Sequence, residues 1–169
     1  MRFRETWMFA LVFASSAFLT MSFAQAQVVV IGASNSQGKG VSASEAWPAQ
    51  LQSMLAAKGS STQITNAALN GQTTGQALSG LSALPPGTKI VLMAQGTQND
   101  TKRGVSQEDA LANKREMKKL LTERGIRVIN VLPIIHGITR QPSMLQPDHI
   151  HMTAEGHRKV AAQLASSIR

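Results

Sequence analysis

Residues 27–38, QVVVIGASNSQG, pass from a run of β-branched residues into a loop rich in glycine and serine. A short, continuous apolar run of this kind is typical of a strand that is buried on both faces, as in a parallel sheet. Gly32 ends the run, and Ser34 follows in the loop. We therefore predict a buried strand over Gln27–Ile31 with a polar loop at its carboxyl end.

The chain beyond this loop alternates between short apolar runs and helical segments. Further strands are predicted at Gln63–Ala67, Lys89–Ala94 and Arg127–Leu132, the last of them ended by Pro133. Helices are predicted at Ser44–Lys58, Thr73–Leu84, Ser106–Arg124 and Thr153–Ile168. Residues 96–104 are predicted to form a polar loop. This alternation implies an α/β domain whose parallel sheet is covered by helices on both faces.

Residues 1–26 have the pattern of an export signal. Arg2 and Arg4 precede an apolar segment, Trp7–Phe23, and residues 24–26 read Ala-Gln-Ala, a small-x-small cleavage site. An uncleaved membrane anchor is the alternative, although four hydroxyl residues interrupt the apolar segment. We therefore predict a signal peptide at residues 1–26, one domain at residues 27–169, and a periplasmic or secreted protein.

The composition argues against several classes of protein. After residue 26, Trp47 is the only aromatic residue of the Phe, Tyr or Trp type, so no aromatic platform for nucleic acid or sugar is expected. The net charge is +8, but many of the basic residues fall on one predicted helix, where a solvated face is the ordinary explanation. Attraction to an anionic lipid, polysaccharide or nucleic acid is the alternative. The chain has no Cys and therefore neither a disulfide nor a thiolate site.

Ligands of parallel α/β sheets bind beyond the carboxyl ends of the strands. This rule selects the loops at residues 32–40, 68–74 and 96–104, and the segment at residues 146–152 can reach the same edge. The first loop matches neither the phosphate-binding nor the dinucleotide-binding glycine spacing. Taken alone, Ser34 is therefore either a nucleophile or a helix cap.

Residues 147–157, PDHIHMTAEGH, supply the groups that a serine nucleophile needs. A hydroxyl is a weak nucleophile until an imidazole removes its proton, and an acid must orient that imidazole. Asp148 and His151 are three residues apart, so one turn can place the carboxylate against one imidazole nitrogen and leave the other for Ser34.

The histidines allow a second interpretation, in which His149, His151 and His157 bind a metal ion. No further His or carboxylate lies at a supporting spacing, and we therefore predict neither a metal site nor a cofactor. His157 is expected inside the last helix and His136 in a loop, neither with an obvious partner.

These motifs together resemble those of the SGNH (GDSL-like) hydrolases, esterases with a three-layer α/β/α flavodoxin-like fold. Residues 32–38 resemble the first family motif, with Ala33 in place of the usual Asp. The resemblance implies that Ser34 is the nucleophile and that its backbone N–H is one oxyanion donor. Residues 148–157 match the last motif closely, which implies that His151 is the base and Asp148 its orienting acid.

The two middle motifs of the family supply further oxyanion donors. Residues 66–71, NAALNG, offer the backbone N–H of Gly71. Residues 96–100, GTQND, resemble Gly-x-Asn-Asp with one extra residue, so the third donor is the side-chain amide of Asn99 or, in another register, of Gln98.

The resemblance implies a serine esterase that acts on small-molecule, lipid or glycan esters, with short acyl groups preferred. Alternatives on the same scaffold are a catalytically weak binding module and an O-acyltransferase that uses the same Ser34. Residues 133–148 leave little room for the helix and fifth strand that commonly precede the Asp, so we expect a small sheet of four or five strands.

Overall fold

A computed structural model describes residues 27–168, and the predicted signal peptide lies outside the described residues. Four parallel strands, in the order β2-β1-β3-β4, form the sheet: β1 (Gln27–Gly32), β2 (Gln63–Asn66), β3 (Thr88–Ala94) and β4 (Arg127–Asn130). The helices are α1 (Ser34–Gln37), α2 (Trp47–Ala57), α3 (Thr74–Ser79), α4 (Gln98–Lys102), α5 (Gln107–Glu123), α6 (Leu132–Thr139) and α7 (Ala154–Ser167). The predicted three-layer α/β fold with a small parallel sheet is confirmed.

The central strand β1 has apolar side chains on both faces, and each face has its own core. Val28 and Val30 pack in a cluster with residues of α2, α6 and α7. Val29 and Ile31 pack in a second cluster with residues of α3 and α5. This alternation explains why the first apolar run is continuous: neither face of β1 meets solvent.

Gly32 allows the chain to turn directly from β1 into α1. A Cβ at this position would lie 2.6 Å from Ser36 Oγ and 3.2 Å from Ala94 Cβ, which is closer than packed atoms tolerate. Any larger residue would push α1 away from the end of the strand. The glycine therefore fixes Ser34, the first residue of α1, at the carboxyl edge of the sheet.

The fourth strand is shorter than predicted. We expected it to continue to Leu132, but it ends at Asn130 and α6 begins at Leu132. Pro133 lies in the first turn of this helix, where a missing N–H costs no hydrogen bond. His136, which was predicted in a loop, lies in α6. The helix and a 3₁₀ turn at Pro142–Met144 occupy the following chain, and the described residues contain no fifth strand.

Three other predicted boundaries also moved. The expected polar loop at residues 96–104 contains the short helix α4. The helix predicted from Thr73 to Leu84 is interrupted after Ser79, and a 3₁₀ turn continues it. The helix expected from Ser44 begins only at Trp47. Within residues 27–168, no helix is both long and apolar enough to cross a bilayer.

His157 is fully buried on α7, against the start of α2. Its Nδ1 accepts a hydrogen bond from the backbone N–H of Trp47 at 3.2 Å, so the expectation that it has no partner was wrong. Burial lowers its pKa from 6.5 to about 4, although the nearby Glu45 carboxylate acts in the opposite direction. The imidazole is therefore neutral in the folded protein at neutral pH.

This buried imidazole predicts a pH-dependent stability. The unfolded His157 takes up a proton below about pH 6.5 and the folded one only below about 4, so the unfolded state binds more protons between these values. Its contribution is complete above pH 6.5 and falls by about 3 kcal/mol as the pH drops to 4. Urea unfolding at several pH values should show this slope in the wild type. His157→Asn should lose most of it, and the exposed-site control His136→Asn should keep it.

Candidate active site

The carboxyl ends of β1, β2 and β3 open onto one cleft of about 520 Å³. Its wall contains residues from all four segments that were selected from the sequence: Ser34, Lys39, Asn70, Gln98, Asn99, Asp148, His149 and His151. Residues of α6, among them Leu132 and Ile135, complete the wall with apolar side chains. The topology of the sheet therefore brings together polar loops that are far apart along the chain.

Three of the predicted residues form a continuous hydrogen-bonded series in this cleft. Ser34 Oγ lies 3.0 Å from His151 Nε2. The other imidazole nitrogen, His151 Nδ1, lies 2.5 Å from Asp148 Oδ2. His151 is buried, whereas the Asp148 side chain is 44% exposed. A hydroxyl, an imidazole and a carboxylate thus stand in the order that proton transfer from the hydroxyl requires.

A tight turn holds Asp148 against His151. Asp148 Oδ1 accepts hydrogen bonds from the backbone N–H groups of His151 at 2.9 Å and Ile150 at 3.0 Å. His149, inside the turn, has a φ of 56°, a left-handed conformation uncommon for a residue other than glycine.

These hydrogen bonds also set the charge of the carboxyl group. The backbone N–H of His151, its imidazole and the backbone N–H of Ile150 hold the pKa of Asp148 well below its usual range. An ionised carboxylate favours a proton on Nδ1 of His151, which leaves Nε2 as an acceptor for the Ser34 hydroxyl.

Two of the predicted oxyanion donors, Ser34 and Asn99, line the cleft. The backbone N–H groups of Ser34 and Gly71 donate to no acceptor among residues 27–168. Gly71 has a φ of 72° and directly follows Asn70, which lines the cleft. Asn99 Nδ2 donates to the backbone carbonyl of Gln72 at 2.9 Å, and its second amide hydrogen has no acceptor among those residues.

The two candidates for the third oxyanion donor, Asn99 and Gln98, differ in how their side chains are held. Asn99 is partly buried and held by its hydrogen bond. Gln98 is exposed, makes no side-chain hydrogen bond within the described part of the chain, and lies over Gly96. Only Asn99 therefore has the fixed position that a preorganised donor requires.

The sequence also matches a protein-family model. Residues 30–138 match the model of the GDSL-like lipase/acylhydrolase family. The chain belongs to this family. The matched segment contains Ser34, Gly71 and Asn99 but ends before Asp148 and His151, which the structure adds to the site. No curated protein matches the chain in sequence.

Solved structures, among them two named as esterases, have the same fold as this GDSL-like chain. The crystal structure of TesA superposes with a TM-score of 0.75 at 21% identity, covering 85% of this chain and 98% of TesA. The psychrotrophic esterase EstA from Pseudoalteromonas sp., inhibited by monoethylphosphonate, gives 0.73 at 19% identity, covering 83% and 95%. AlinE4, an SGNH-hydrolase family esterase, gives 0.61 at 20% identity, covering 85% and 94%. At these identities the likeness establishes the fold.

Two residues that anchor Asn99 in the GDSL-like domain were missed in the sequence. The Gln72 carbonyl that holds Asn99 also accepts a hydrogen bond from Gln95 Nε2 at 3.0 Å. Asp100 is fully buried and accepts hydrogen bonds from the backbone N–H and, at 2.6 Å, the hydroxyl of Thr74. A sequence signal was available for Gln95, a polar residue directly after an apolar strand, where burial demands a hydrogen-bond partner.

Asn35 is a third residue that sequence reasoning missed. Its Nδ2 donates to the backbone carbonyl of Ile150 at 3.1 Å, and its Oδ1 accepts from the backbone N–H of Met152 at 2.9 Å. One side chain thus holds the main chain on both sides of His151. Because Asn35 directly follows Ser34, this amide connects the loop of the hydroxyl to the loop of the imidazole.

Replacing Asn35 by leucine should weaken catalysis rather than binding. The substitution keeps the approximate volume but removes both hydrogen bonds, so His151 loses its fixed distance from Ser34. We expect kcat for an activated ester to fall by about tenfold with KM changed by less than about twofold.

Gln52→Leu is a matched control for this prediction. The Gln52 amide joins the Thr62 carbonyl and the Ile64 N–H in the same manner, at 2.8 and 2.7 Å, but outside the cleft. This variant should lose comparable stability in a thermal melt and keep its kcat. Equal kcat values in the two variants would contradict a positioning role for Asn35.

The remaining histidines do not join this site in the way the metal interpretation requires. His157 points its Nδ1 at the backbone of Trp47, and His149 is exposed in the turn. In the part of the chain that the structure describes, no three His, Asp or Glu side chains lie close enough together to hold a metal ion.

Proposed function

We propose that this chain is a serine esterase in which Ser34, His151 and Asp148 are nucleophile, base and orienting acid. The observation that carries the proposal is the series from Asp148 Oδ2 through both nitrogens of His151 to Ser34 Oγ, with contacts of 2.5 and 3.0 Å. Membership of a lipase and acylhydrolase family supports the same reaction class.

The geometry suits a two-step acyl transfer to water. His151 Nε2 takes the hydroxyl proton as Ser34 Oγ attacks the ester carbonyl, and the Asp148 carboxylate stabilises the resulting imidazolium. In this proposal, the N–H groups of Ser34 and Gly71 and the Asn99 amide stabilise the oxyanion. His151 then gives the proton to the departing alcohol. A water molecule, deprotonated by the same imidazole, releases the acyl group from Ser34.

The cleft wall favours short acyl groups. Trp47, the only large aromatic residue after residue 26, is completely buried in the core and does not reach the cleft. Aliphatic side chains supply the apolar part of the wall: Leu132, Ile135, Leu145 and Ile150. A shallow aliphatic wall contacts a short acyl group over most of its surface and leaves the end of a long one in water.

A chain-length series of p-nitrophenyl esters tests this function. The purified protein should hydrolyse acetyl to hexanoyl esters faster than dodecanoyl esters. A fluorophosphonate probe should stop turnover and, by peptide mass spectrometry, label Ser34. Turnover that survives the probe, or a label on another residue, would contradict the proposed mechanism. Absence of both turnover and labelling would favour a binding module.

A further inference from the structure

Two lysines and one aspartate are the Lys, Arg, Asp or Glu residues of the described cleft wall. Lys39, just after α1, and Lys102, at the end of α4, both line the cleft and are exposed. Neither forms an ion pair with a carboxylate among residues 27–168. Asp148 is the only acidic residue in the described wall, and His151 already engages its carboxylate. The cleft therefore offers two unpaired cations to whatever binds there.

Both lysines are attached to elements that carry the proposed catalytic groups. The backbone N–H of Lys39 donates to the Ser34 carbonyl at 3.0 Å, and its own carbonyl accepts from Gln146 Nε2 at 2.9 Å. Lys102 lies three residues after Asn99 on α4, and residues at this spacing share a helix face. The backbone of each lysine is thus held close to a residue of the proposed reaction centre.

The apolar side chains of the wall come from other parts of the chain. Leu132 and Ile135 come from α6, and Leu145 and Ile150 come from the segment before α7. The wall therefore combines an aliphatic part, which suits the apolar portion of an ester, with a cationic part, which suits a negative group. A neutral ester would leave the cationic part unused.

We propose that the natural substrate is an ester that carries an anionic group, such as a carboxylate or phosphate, which pairs with Lys39 and Lys102. The proposal rests on the proposed esterase function and assigns its substrate class. Partly exposed ion pairs contribute up to about fivefold each in binding, and two of them give a preference of about tenfold at low ionic strength. Salt should reduce this preference because both lysines are exposed.

Matched pairs of esters measure this preference. The p-nitrophenyl half-ester of glutaric acid carries its charge on the acyl side, and p-nitrophenyl pentanoate is its neutral partner. In 4-acetoxybenzoate the charge is on the leaving alcohol, and its methyl ester is neutral. Each enzymatic kcat/KM is divided by the rate of alkaline hydrolysis of the same ester. We expect one anionic ester to exceed its neutral partner by about tenfold at 10 mM salt and by less than about threefold at 0.5 M.

The double variant Lys39→Gln/Lys102→Gln should reduce the preference to nearly one. The control Lys89→Gln/Lys118→Gln has the same net charge, but its sites lie outside the cleft, at the opposite end of β3 and on α5. It should keep the wild-type preference and its dependence on salt.

The outcomes separate this inference from the proposed function. Hydrolysis of the neutral esters with no preference for either anionic ester would overturn the inference and leave the esterase intact. An equal loss of preference in the two double variants would assign the effect to net charge and overturn the inference as well. No turnover of any ester would overturn the esterase function itself and the inference with it.

Discussion

Replacing Ser34 or His151 by alanine is expected to lower kcat/KM for p-nitrophenyl acetate by at least about 10³-fold, with no loss of folding. The first substitution removes the attacking oxygen, and the second removes the group that lies 3.0 Å from it and accepts its proton. Because the two residues act as a unit, the double variant should be about as inactive as either single variant. Steady-state kinetics and circular dichroism of the same samples measure both effects.

His149→Ala is the internal control for this prediction. His149 lines the same cleft and lies two residues from His151, but it has no hydrogen bond to Ser34. Its substitution should cost far less activity, although alanine must adopt a φ of 56° in the turn. A loss as large as that of His151→Ala would point to a different base or to a metal ion. Dialysis against a chelator then decides, since a serine hydrolase keeps its activity.

The second large effect is expected at Asn99. Asn99→Ala should lower kcat by about 10²-fold or more with KM little changed, because the contact forms mainly when charge develops on the oxyanion. Gln98→Ala should cost less than about tenfold. The anchoring explains the difference: Asn99 is held by the Gln72 carbonyl at 2.9 Å, whereas Gln98 is exposed and not hydrogen-bonded to the described residues.

The assignment of the third oxyanion donor depends on which of these two variants loses more activity. A larger loss for Gln98→Ala in steady-state kinetics would mean that the extra residue of the motif follows the donor instead of preceding it. Small and equal losses would mean that neither amide stabilises the oxyanion. In that case, the rate would depend on the backbone N–H groups of Ser34 and Gly71 alone.

The fold was predictable from the sequence where the apolar pattern is strong and where a turn residue is compatible with only one kind of structural element. The two inner strands, β1 and β3, follow continuous apolar runs, and burial on both sheet faces is the physical cause of that continuity. Pro133 shows where this reasoning fails. A proline ends a strand and also starts a helix, and the sequence does not reveal whether the preceding residue belongs to the strand or to the helix.

The sequence predicted which loops meet at the candidate site. It did not predict the hydrogen bonds that hold the site residues in position. Parallel topology alone places the loops after β1 and β3 at one edge, which brought Ser34 and Asn99 together. Asn35 acts on the main chain 115 and 117 residues away, through partners that have no side-chain signature. Such contacts depend on tertiary packing and cannot be read from local sequence.

The acid and the base lie on one tight turn, Asp148 to His151, whereas Ser34 is attached to the sheet. The proposed reaction centre therefore combines two parts of the chain: the turn that carries the acid and the base, and the edge of the sheet that carries Ser34. Displacement of the turn leaves the carboxylate–imidazole pair intact but changes the distance from His151 Nε2 to Ser34 Oγ and the two hydrogen bonds of Asn35. We therefore expect insertions or deletions between α6 and the turn to be compatible with the proposed chemistry where these contacts are restored.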